Sequence, residues 1–171
     1  LLRTVIGDGS VMIRSVSEEV DFVKKYFELQ KLRFGERLEY SVDIDPNINM
    51  HMPIPRMTAQ IFVENAIKHG IEPKKGGGRI NVTLVMEAGY LKITVADNGI
   101  GREASSKRSL RGTGQGLKII NGIFDFYNKV NNEKARYEIF DMVDDDKKPS
   151  GTEVVIYVPA GFNYEYKVNY F

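Results

Sequence analysis

The segment Glu64-Asn65-Ala66-Ile67-Lys68-His69-Gly70 places an amide, an ammonium and an imidazole at the end of an otherwise apolar helix. Apolar residues recur at helical spacing before it, and Gly70 stands where the helix is expected to end. Asn65 lies three residues before Lys68 and four before His69, so the three side chains share one face. A solvated helix end, whose cations complement the helix dipole, would show the same pattern. The rest of the chain has to decide between the two interpretations.

Composition limits the possible functions. The 171 residues, 42% hydrophobic and 27% charged, fit one domain with a substantial core. A net charge of +1 gives no bulk electrostatic attraction to nucleic acid or to an acidic membrane surface. The lack of cysteine excludes disulfides, thiolate metal sites and cysteine nucleophiles. No apolar run approaches the roughly 20 residues of a membrane span. The N-terminus lacks an initiator Met and a signal-peptide pattern, so we expect a piece of a longer chain.

A long amphipathic helix is predicted from about Ser15 to Gly35. Ser15 and Glu18 have the spacing of a capping box. The apolar face is broad and consists of Val20, Val23, Phe27 and Phe34, flanked by Phe22, Tyr26 and Leu29.

A second amphipathic helix follows the glycines at 112–116. Its predicted buried side consists of Leu117, Ile120, Phe124 and Tyr127, together with Ile119 and Ile123.

Period-two alternation predicts five strands. One covers residues 39–45, and two hairpins are expected, at 79–87 with 90–96 and at 137–143 with 152–158. The order of elements favours an α+β fold with helices on one face of a largely antiparallel sheet. It does not favour a doubly wound parallel fold, so the glycines at 112–116 are not a dinucleotide fingerprint.

The domain prediction has three parts. Residues 1–14 are interpreted as a lead-in from an upstream region, and residues 15–160 as the domain itself. Residues 161–171 form a tail too aromatic to be left in solvent, which we expect to pack on the domain or on a partner.

Asp97 is the first candidate for recognition of a flat ligand. It ends a predicted strand and begins a glycine turn, so its carboxylate can be held at the rim of the sheet and accept a hydrogen bond from an exocyclic amine. Gly99 and Gly101 would let the backbone approach that ligand closely. An ordinary Asp-Asn-Gly turn has the same sequence. Thr152, after Gly151 at the start of the last strand, offers a hydroxyl near the same end.

A second group of residues suits phosphate. Gly112, Gly114 and Gly116 precede a helix, where backbone N–H groups form an anion site; a flexible hinge is the alternative. Asn65 offers an oxygen to a hard cation such as Mg²⁺, which keeps most of its waters and bridges to phosphate oxygens. Lys68 can meet phosphate charge directly.

The order and spacing of these motifs resemble the ATP-binding domain of sensor histidine kinases, in the wider group that contains gyrase, the Hsp90 chaperones and MutL. Residues 64–70 match the asparagine box, 97–101 and 112–117 the two glycine boxes, and 151–152 the terminal Gly-Thr. The Lys-His-Gly ending and the helix at 26–34 are similar to the LytS-type branch. The resemblance covers residues 15–160 and implies a two-layer α/β sandwich, a mixed, mostly antiparallel sheet backed by three helices.

The resemblance also implies roles for individual residues. Asn65 would ligate Mg²⁺ and, with Lys68, serve catalysis; Lys68 and His69 would contact the phosphates of ATP; Asp97 would bind the adenine amine. The remaining ATP-binding positions would be Gly99, Gly101, Gly112, Gly114, Gly116, Leu117 and Thr152, the last acting through a water. Residues 102–111 would form a lid. Its basic side chains, Arg102, Lys107, Arg108 and Arg111, would screen phosphate charge or serve solubility.

Two departures from the wider group are informative. Gyrase-type hydrolases carry a Glu four residues before the box asparagine, and here that position is Ile61; Glu64 is adjacent to Asn65 and points elsewhere. The resemblance therefore implies phosphoryl transfer rather than hydrolysis. The family's phosphorylated histidine lies in a Pro-His-Phe context that neither His51 nor His69 has. We expect it on an upstream helix of the same chain or of a dimer mate.

The resulting hypothesis is the catalytic domain of a two-component histidine kinase. It would be cytoplasmic, within a homodimeric inner-membrane protein that relays phosphate to a response regulator and binds no nucleic acid. An anti-sigma-type protein-serine kinase is the first alternative, because it shares the nucleotide boxes. A degenerate nucleotide-binding regulatory module is the second, and loss of ATP binding would favour it.

Overall fold

The computed structural model describes residues 12–102 and 114–165. The first element is a short strand, β1 (Ile13–Ser15), followed by helix α1 (Val16–Phe34). Ser15 caps α1: its hydroxyl accepts a hydrogen bond from the Glu18 amide at 3.2 Å, and the Glu18 carboxylate accepts from the Ser15 amide at 2.7 Å. The predicted capping box is thus confirmed, as is the end of the helix, where Gly35 has a positive φ of 57°.

A five-stranded mixed sheet forms one layer of the domain. Its strands are β2 (Leu38–Ile44), β4 (Gly78–Glu87), β5 (Tyr90–Asp97), β6 (Arg136–Val143) and β7 (Pro149–Pro159), in the order β2-β4-β5-β7-β6. Both predicted hairpins are present as antiparallel pairs, and β5 pairs antiparallel with β7. β2 pairs with β4 in parallel. A separate two-stranded sheet joins β1 to β3 (Pro53–Pro55).

Helices cover one face of this sheet. They are α1, the helix α2 (Gln60–Asn65) with its continuation, and α3 (Gln115–Asn128). The core packs their apolar sides against alternate sheet residues such as Val82, Ile93 and Ile156. The predicted α+β sandwich is therefore confirmed. Within the described ranges, no helix combines the length and the apolar composition that crossing a membrane would need.

Several residues that were assigned to buried faces lie at their margins instead. Leu29 is 60% exposed and Ile119 45% exposed, and Phe22 is also accessible. Each lies on a helix whose neighbouring apolar positions are buried, such as Phe27 on α1. The predicted apolar stripes were too wide, because apolar residues at the edge of a stripe are not separated from the core by spacing alone.

The central helix, defined as residues 60–71, does not end at Gly70 as predicted. α2 continues as a π-helical turn, Ala66–Ile71, which includes Lys68, His69 and Gly70. Single π-helical turns are concentrated at functional sites. Gly70 is therefore inside the helix, and the reason for a glycine at this position is a contact with the sheet, described below.

The aromatic tail packs on the domain as far as it is described. Phe162 is 7% exposed, and its ring centroid lies 6.2 Å from that of Tyr127 on α3. The Tyr164 ring lies 5.0 Å from Tyr127, and its hydroxyl donates to the Pro53 carbonyl at 3.0 Å. These contacts join the end of the chain to α3 and to β3.

Candidate functional site

Asp97 lies at the last position of β5, directly opposite Thr152 of β7. Its Oδ1 accepts a hydrogen bond from the Gly99 amide at 2.8 Å. Burial raises the pKa of the Asp97 carboxyl to about 6, although hydrogen bonds from the Gly99 and Thr152 amides and the nearby Lys74 charge favour the ionised form. The predicted pair at the rim of the sheet is therefore formed, and it contains a carboxyl that water reaches poorly.

Glycines surround this carboxyl because there is no space for a side chain. A Cβ on Gly70 would lie 2.7 Å from Asp97 Oδ1, and one on Gly99 would lie 2.4 Å from the Gly70 Cα. The Ile100 amide also donates to the Gly70 carbonyl at 3.2 Å. A Cβ on Gly151, whose φ is 142°, would lie 1.9 Å from the Asp97 carbonyl oxygen. Three distant segments thus meet backbone to backbone at Asp97.

The start of the predicted lid is fixed to the edge strand. Gly101 has a φ of 76°, and a Cβ there would lie 2.9 Å from Pro149 Cβ. Arg102 makes a bidentate ion pair with Asp141 of β6, with both hydrogen bonds at 2.7 Å. The remaining lid residues, with Lys107, Arg108, Arg111 and Gly112, fall outside the described residues.

The N-terminus of α3 faces the central helix. Gly114 caps α3 in the left-handed conformation, with a φ of 59°, and no side chain of the described residues caps the helix there. A Cβ on Gly116 would lie 3.1 Å from Ile61 Cγ2, so the first turn of α3 packs closely on the central helix. Leu117 is half-buried against the core. The second glycine box and the asparagine box are therefore neighbours in space.

Asn65, Lys68 and His69 of the asparagine box differ in exposure. Asn65 and His69 are half-buried, and Lys68 is exposed. Burial, and then the Lys68 charge, lowers the pKa of His69, so its imidazole is neutral at pH 7. In the part of the chain that the structure describes, the side chains of Asn65 and Lys68 make no hydrogen bond or ion pair with another residue.

A family model described as "Histidine kinase-, DNA gyrase B-, and HSP90-like ATPase" matches residues 55–161, which contain every site residue described above. The chain belongs to this ATPase family. Sensor histidine kinase YesM of Bacillus subtilis is 38% identical over 105 residues, covering 61% of this chain and 18% of its own length. Sensor protein LytS of Streptococcus mutans is 29% identical over 129 residues, 70% of this chain and 22% of its own.

Solved structures agree on the fold. The nucleotide-free catalytic domain of histidine kinase ThkA superposes with a TM-score of 0.58 at 16% identity, over 86% of this chain and 96% of that one. At this identity the likeness concerns the fold of the ATPase domain only. The chain spans about a fifth of the length of YesM and LytS, which are therefore much longer proteins.

Ile61 is the residue at the position where the resemblance to gyrase-type hydrolases would require a carboxylate, and it is apolar. Ile61, four residues before Asn65, is 3% exposed and packs against Gly116. Glu64 is the carboxylate nearest to Asn65 in sequence, and its Oε1 accepts a hydrogen bond from Gln60 Nε2 at 2.8 Å. Ile61 offers only hydrocarbon where a gyrase-type hydrolase has its base.

Asn98 is a site residue that the sequence analysis of this ATPase domain did not single out. Its side-chain Oδ1 accepts a hydrogen bond from the backbone amide of Arg79 at 2.7 Å. Its backbone amide donates to the Arg79 carbonyl at 3.1 Å. Lys74 Nζ donates to the Asn98 carbonyl. A Cβ on Gly78 would lie 2.5 Å from Asn98 Oδ1. The glycine run at 76–78 is the signal in the sequence that could have indicated this close approach.

Proposed function

We propose that this chain is the ATP-binding catalytic domain of a two-component sensor histidine kinase, which transfers the γ-phosphoryl group of Mg-ATP to a histidine on an upstream helix. The observation that carries the proposal is the half-buried Asp97 carboxyl, held by the amides of Gly99 and Thr152 beside the Gly70 backbone. Membership of the ATPase family implies nucleotide binding.

The adenine end of the proposed site is at Asp97. A carboxylate that already accepts backbone hydrogen bonds has further lone pairs for an exocyclic amine, and its position is fixed before the ligand arrives. Thr152 lies opposite it and supports the same end through a water. Water reaches this carboxyl poorly, so its remaining lone pairs lack hydrogen-bond donors. An adenine N–H group would supply such a donor.

The phosphate end is at Asn65, Lys68 and the N-terminus of α3. An amide oxygen beside an ammonium suits Mg²⁺ bound to phosphate, because this ion keeps several waters and takes few protein ligands. Asn65 would hold the ion, which neutralises phosphate charge when bound. Lys68, and His69 as a neutral donor, would contact phosphate oxygens, while the amides after Gly114 meet phosphate at the positive end of α3.

Transfer to a protein acceptor is favoured over hydrolysis by Ile61. Its side chain is buried where a hydrolase would place a carboxylate, and Glu64 is engaged by Gln60. Phosphoryl transfer needs little beyond positioning and charge neutralisation from this domain. The acceptor histidine, a response regulator as the next acceptor, a homodimer and an inner-membrane location for the whole protein complete the proposal.

Calorimetric titration with Mg-ATP tests the adenine assignment. Asp97→Asn replaces an acceptor with an amide and should weaken binding at least thirtyfold. Asp125→Asn makes the same chemical change on the exposed surface of α3 and should leave the affinity within twofold of the original. Equal affinities of the two variants would refute the assignment of adenine to Asp97.

Phosphate transfer is tested with labelled ATP. The chain alone should bind the nucleotide without acquiring label, whereas addition of the upstream helix with its histidine should give acid-labile phosphohistidine. Label on the chain alone would contradict the proposal. Acid-stable label on a partner's serine would favour the anti-sigma type of kinase instead.

A further inference from the structure

Glu19 is a buried carboxylate on the first turns of α1. Only 2% of the residue is exposed. Its Oε1 accepts hydrogen bonds from the amides of Ala59 and Gln60, at 2.8 and 3.0 Å. These residues lie 40 and 41 positions away in sequence and form the start of the central helix. Glu19 thus caps a helix to which it does not belong.

The central helix needs this external cap because its own sequence provides none. Ala59 occupies the N-cap position, where alanine offers no side-chain acceptor for the free amides of the first turn. A carboxylate in that place satisfies two of those donors and lies at the positive end of the helix dipole. A residue of α1 therefore caps the central helix.

Arg14 compensates the charge of Glu19. Its Nη1 lies 3.1 Å from Glu19 Oε2, with only 11% of the Arg14 side chain exposed. Among the described residues Oε2 has no aligned hydrogen-bond donor, so the contact is an ion pair. Arg14 lies on β1, opposite Ile54 of β3, and the Val16 amide donates to the Met52 carbonyl at 3.0 Å. The start of α1 is thus joined to the segment that leads into the central helix.

The entry to the central helix also contains an unusual backbone conformation. Met57 has a φ of 66°, in a region that residues other than glycine rarely adopt. Thr58 is fully buried, and its hydroxyl donates to the Pro55 carbonyl at 2.5 Å. Such a conformation persists only where surrounding contacts fix it. The hydrogen bonds from Ala59 and Gln60 to Glu19 are among those contacts.

We propose that Glu19 is a positioning residue for the phosphate end of the nucleotide site. Asn65 lies five residues, or about 7.5 Å along the helix axis, beyond Gln60. The other end of the central helix is fixed by the contact of Gly70 with Asp97 and by the Ile100 amide. Loss of the Glu19 cap therefore lets the helix pivot about Gly70, which displaces Asn65 and Lys68 and leaves the surroundings of Asp97 in place. This inference rests on the proposed function.

The experiment compares two ligands in the 171-residue chain. Mg-ATP uses both ends of the site, whereas adenosine uses only the end at Asp97. Glu19→Ala should raise the Kd for Mg-ATP at least tenfold and the Kd for adenosine less than twofold. Glu19→Gln keeps an oxygen acceptor for the two amides and should stay within about threefold of the original affinity for Mg-ATP. Val23→Ala, at an equally buried position on α1, is the control for lost stability.

The outcomes separate the two proposals. The positioning role is overturned if the ratio of the Kd for Mg-ATP to the Kd for adenosine is the same in Glu19→Ala and in Val23→Ala. Should Glu19→Ala not fold, Glu19→Asp keeps the charge, shortens the reach to the amides and is judged by the same ratio. If the original chain binds no Mg-ATP, the proposed function fails. Hydrogen exchange then tests the cap itself: amides 61–66 must exchange faster in the Glu19 variant than in Val23→Ala, and equal rates refute it.

Discussion

The two ends of the candidate site are built in different ways. At Asp97, backbone meets backbone: Gly70, Gly99 and Gly151 each lie where a Cβ has no space. At the phosphate end, Asn65 and Lys68 extend from one face of the central helix and make no hydrogen bond or ion pair within residues 12–102 and 114–165. One end is fixed by the packing of the fold, and the other consists of side chains that the proposed function assigns to contacts with the ligand.

This difference separates stability from binding. Substitutions at the Asp97 end should change the free energy of unfolding and the binding of a ligand together, because the same contacts form the fold and the site. Substitutions at the phosphate end should alter binding and leave the free energy of unfolding nearly unchanged, because the side chains there contribute little to packing. The predictions below test this contrast.

The largest effect is expected at the interlocked glycines. Gly99→Ala places a Cβ 2.4 Å from the Gly70 Cα and should lower the free energy of unfolding by about 3 kcal/mol, the upper range for overpacking a core. Gly122→Ala is the control: no atom lies within 4 Å of its Cβ on α3, and it should stabilise the chain by about 0.5–1 kcal/mol. Urea unfolding measures the free energy of both variants. Equal values would show that the glycines at Asp97 are not fixed by packing more tightly than a surface glycine.

The next effect concerns the charge of Asp97. The pKa of this carboxyl is about 6 in the folded chain against an ordinary value of 3.8, so folding disfavours its ionised form. The cost is absent below pH 3.8, grows between pH 3.8 and 6, and is complete above pH 6. Asp97→Asn should therefore stabilise the free chain at pH 7.5 by about 1–2 kcal/mol, because partial solvent access reduces the full value of about 3 kcal/mol.

The same measurement at lower pH is the control for Asp97→Asn. At pH 4.5 most of the native carboxyl is protonated and most of the unfolded one is ionised, so the gain in unfolding free energy should shrink to about a third of its value at pH 7.5. A gain independent of pH would show that the amide stabilises the chain by hydrogen bonding rather than by removing a buried charge.

Asn65→Ala sharpens the contrast from the phosphate end. It should change the free energy of unfolding by less than about 0.5 kcal/mol, as for surface substitutions. Its Mg-ATP affinity should fall about tenfold, which corresponds to about 1.4 kcal/mol. With EDTA in place of Mg²⁺, the variant and the original chain should bind ATP within twofold of each other. A full tenfold loss in EDTA would contradict metal ligation by Asn65.

The smallest effect is expected at His69. Burial keeps its pKa below 6.5 in the free chain, and nearby phosphates should stabilise the imidazolium, so ATP should raise this pKa. Binding near pH 6 would then take up a fraction of a proton, which calorimetry in two buffers of different ionisation enthalpy detects. An NMR titration follows the His69 ring directly. His51 lies outside the central helix, and its ring signals should not respond to ATP.

The fold was largely predictable because its two hairpins and the cap of α1 depend on residues that are close in sequence. Alternation within 79–87 and 90–96, separated by a turn, can pair only as a hairpin, and Ser15 with Glu18 fixes the start of α1. The parallel pairing of β2 with β4 is not a local property, so strand patterns could not assign it. β1 and β3, three residues each, are too short to show a period.

The position of a site residue was predictable where its residue type has one common structural role in that sequence context. It was less predictable where the residue type has several such roles. Asp97 and Thr152 were expected together, and they are partners across two strands. Gly70 was interpreted as a helix stop, because a stop and a close contact both call for glycine. Glu19 was overlooked, although it lies between Val16, Val20 and Val23 on the buried face of α1. A charge at such a position signals a buried partner.

The parallel pairing of β2 with β4 has a consequence for the order of folding. The central helix lies in the crossover between these strands, whose paired residues, such as Leu38 and Gly78, are 40 positions apart. Closing so long a loop costs more entropy than closing either hairpin. We expect the β4–β5 and β6–β7 hairpins to gain amide protection first in pulsed hydrogen exchange, and β2 to gain it last. The helix that carries Asn65 would then reach its place in the same late step, so a chain stalled before it would have a sheet but no nucleotide site.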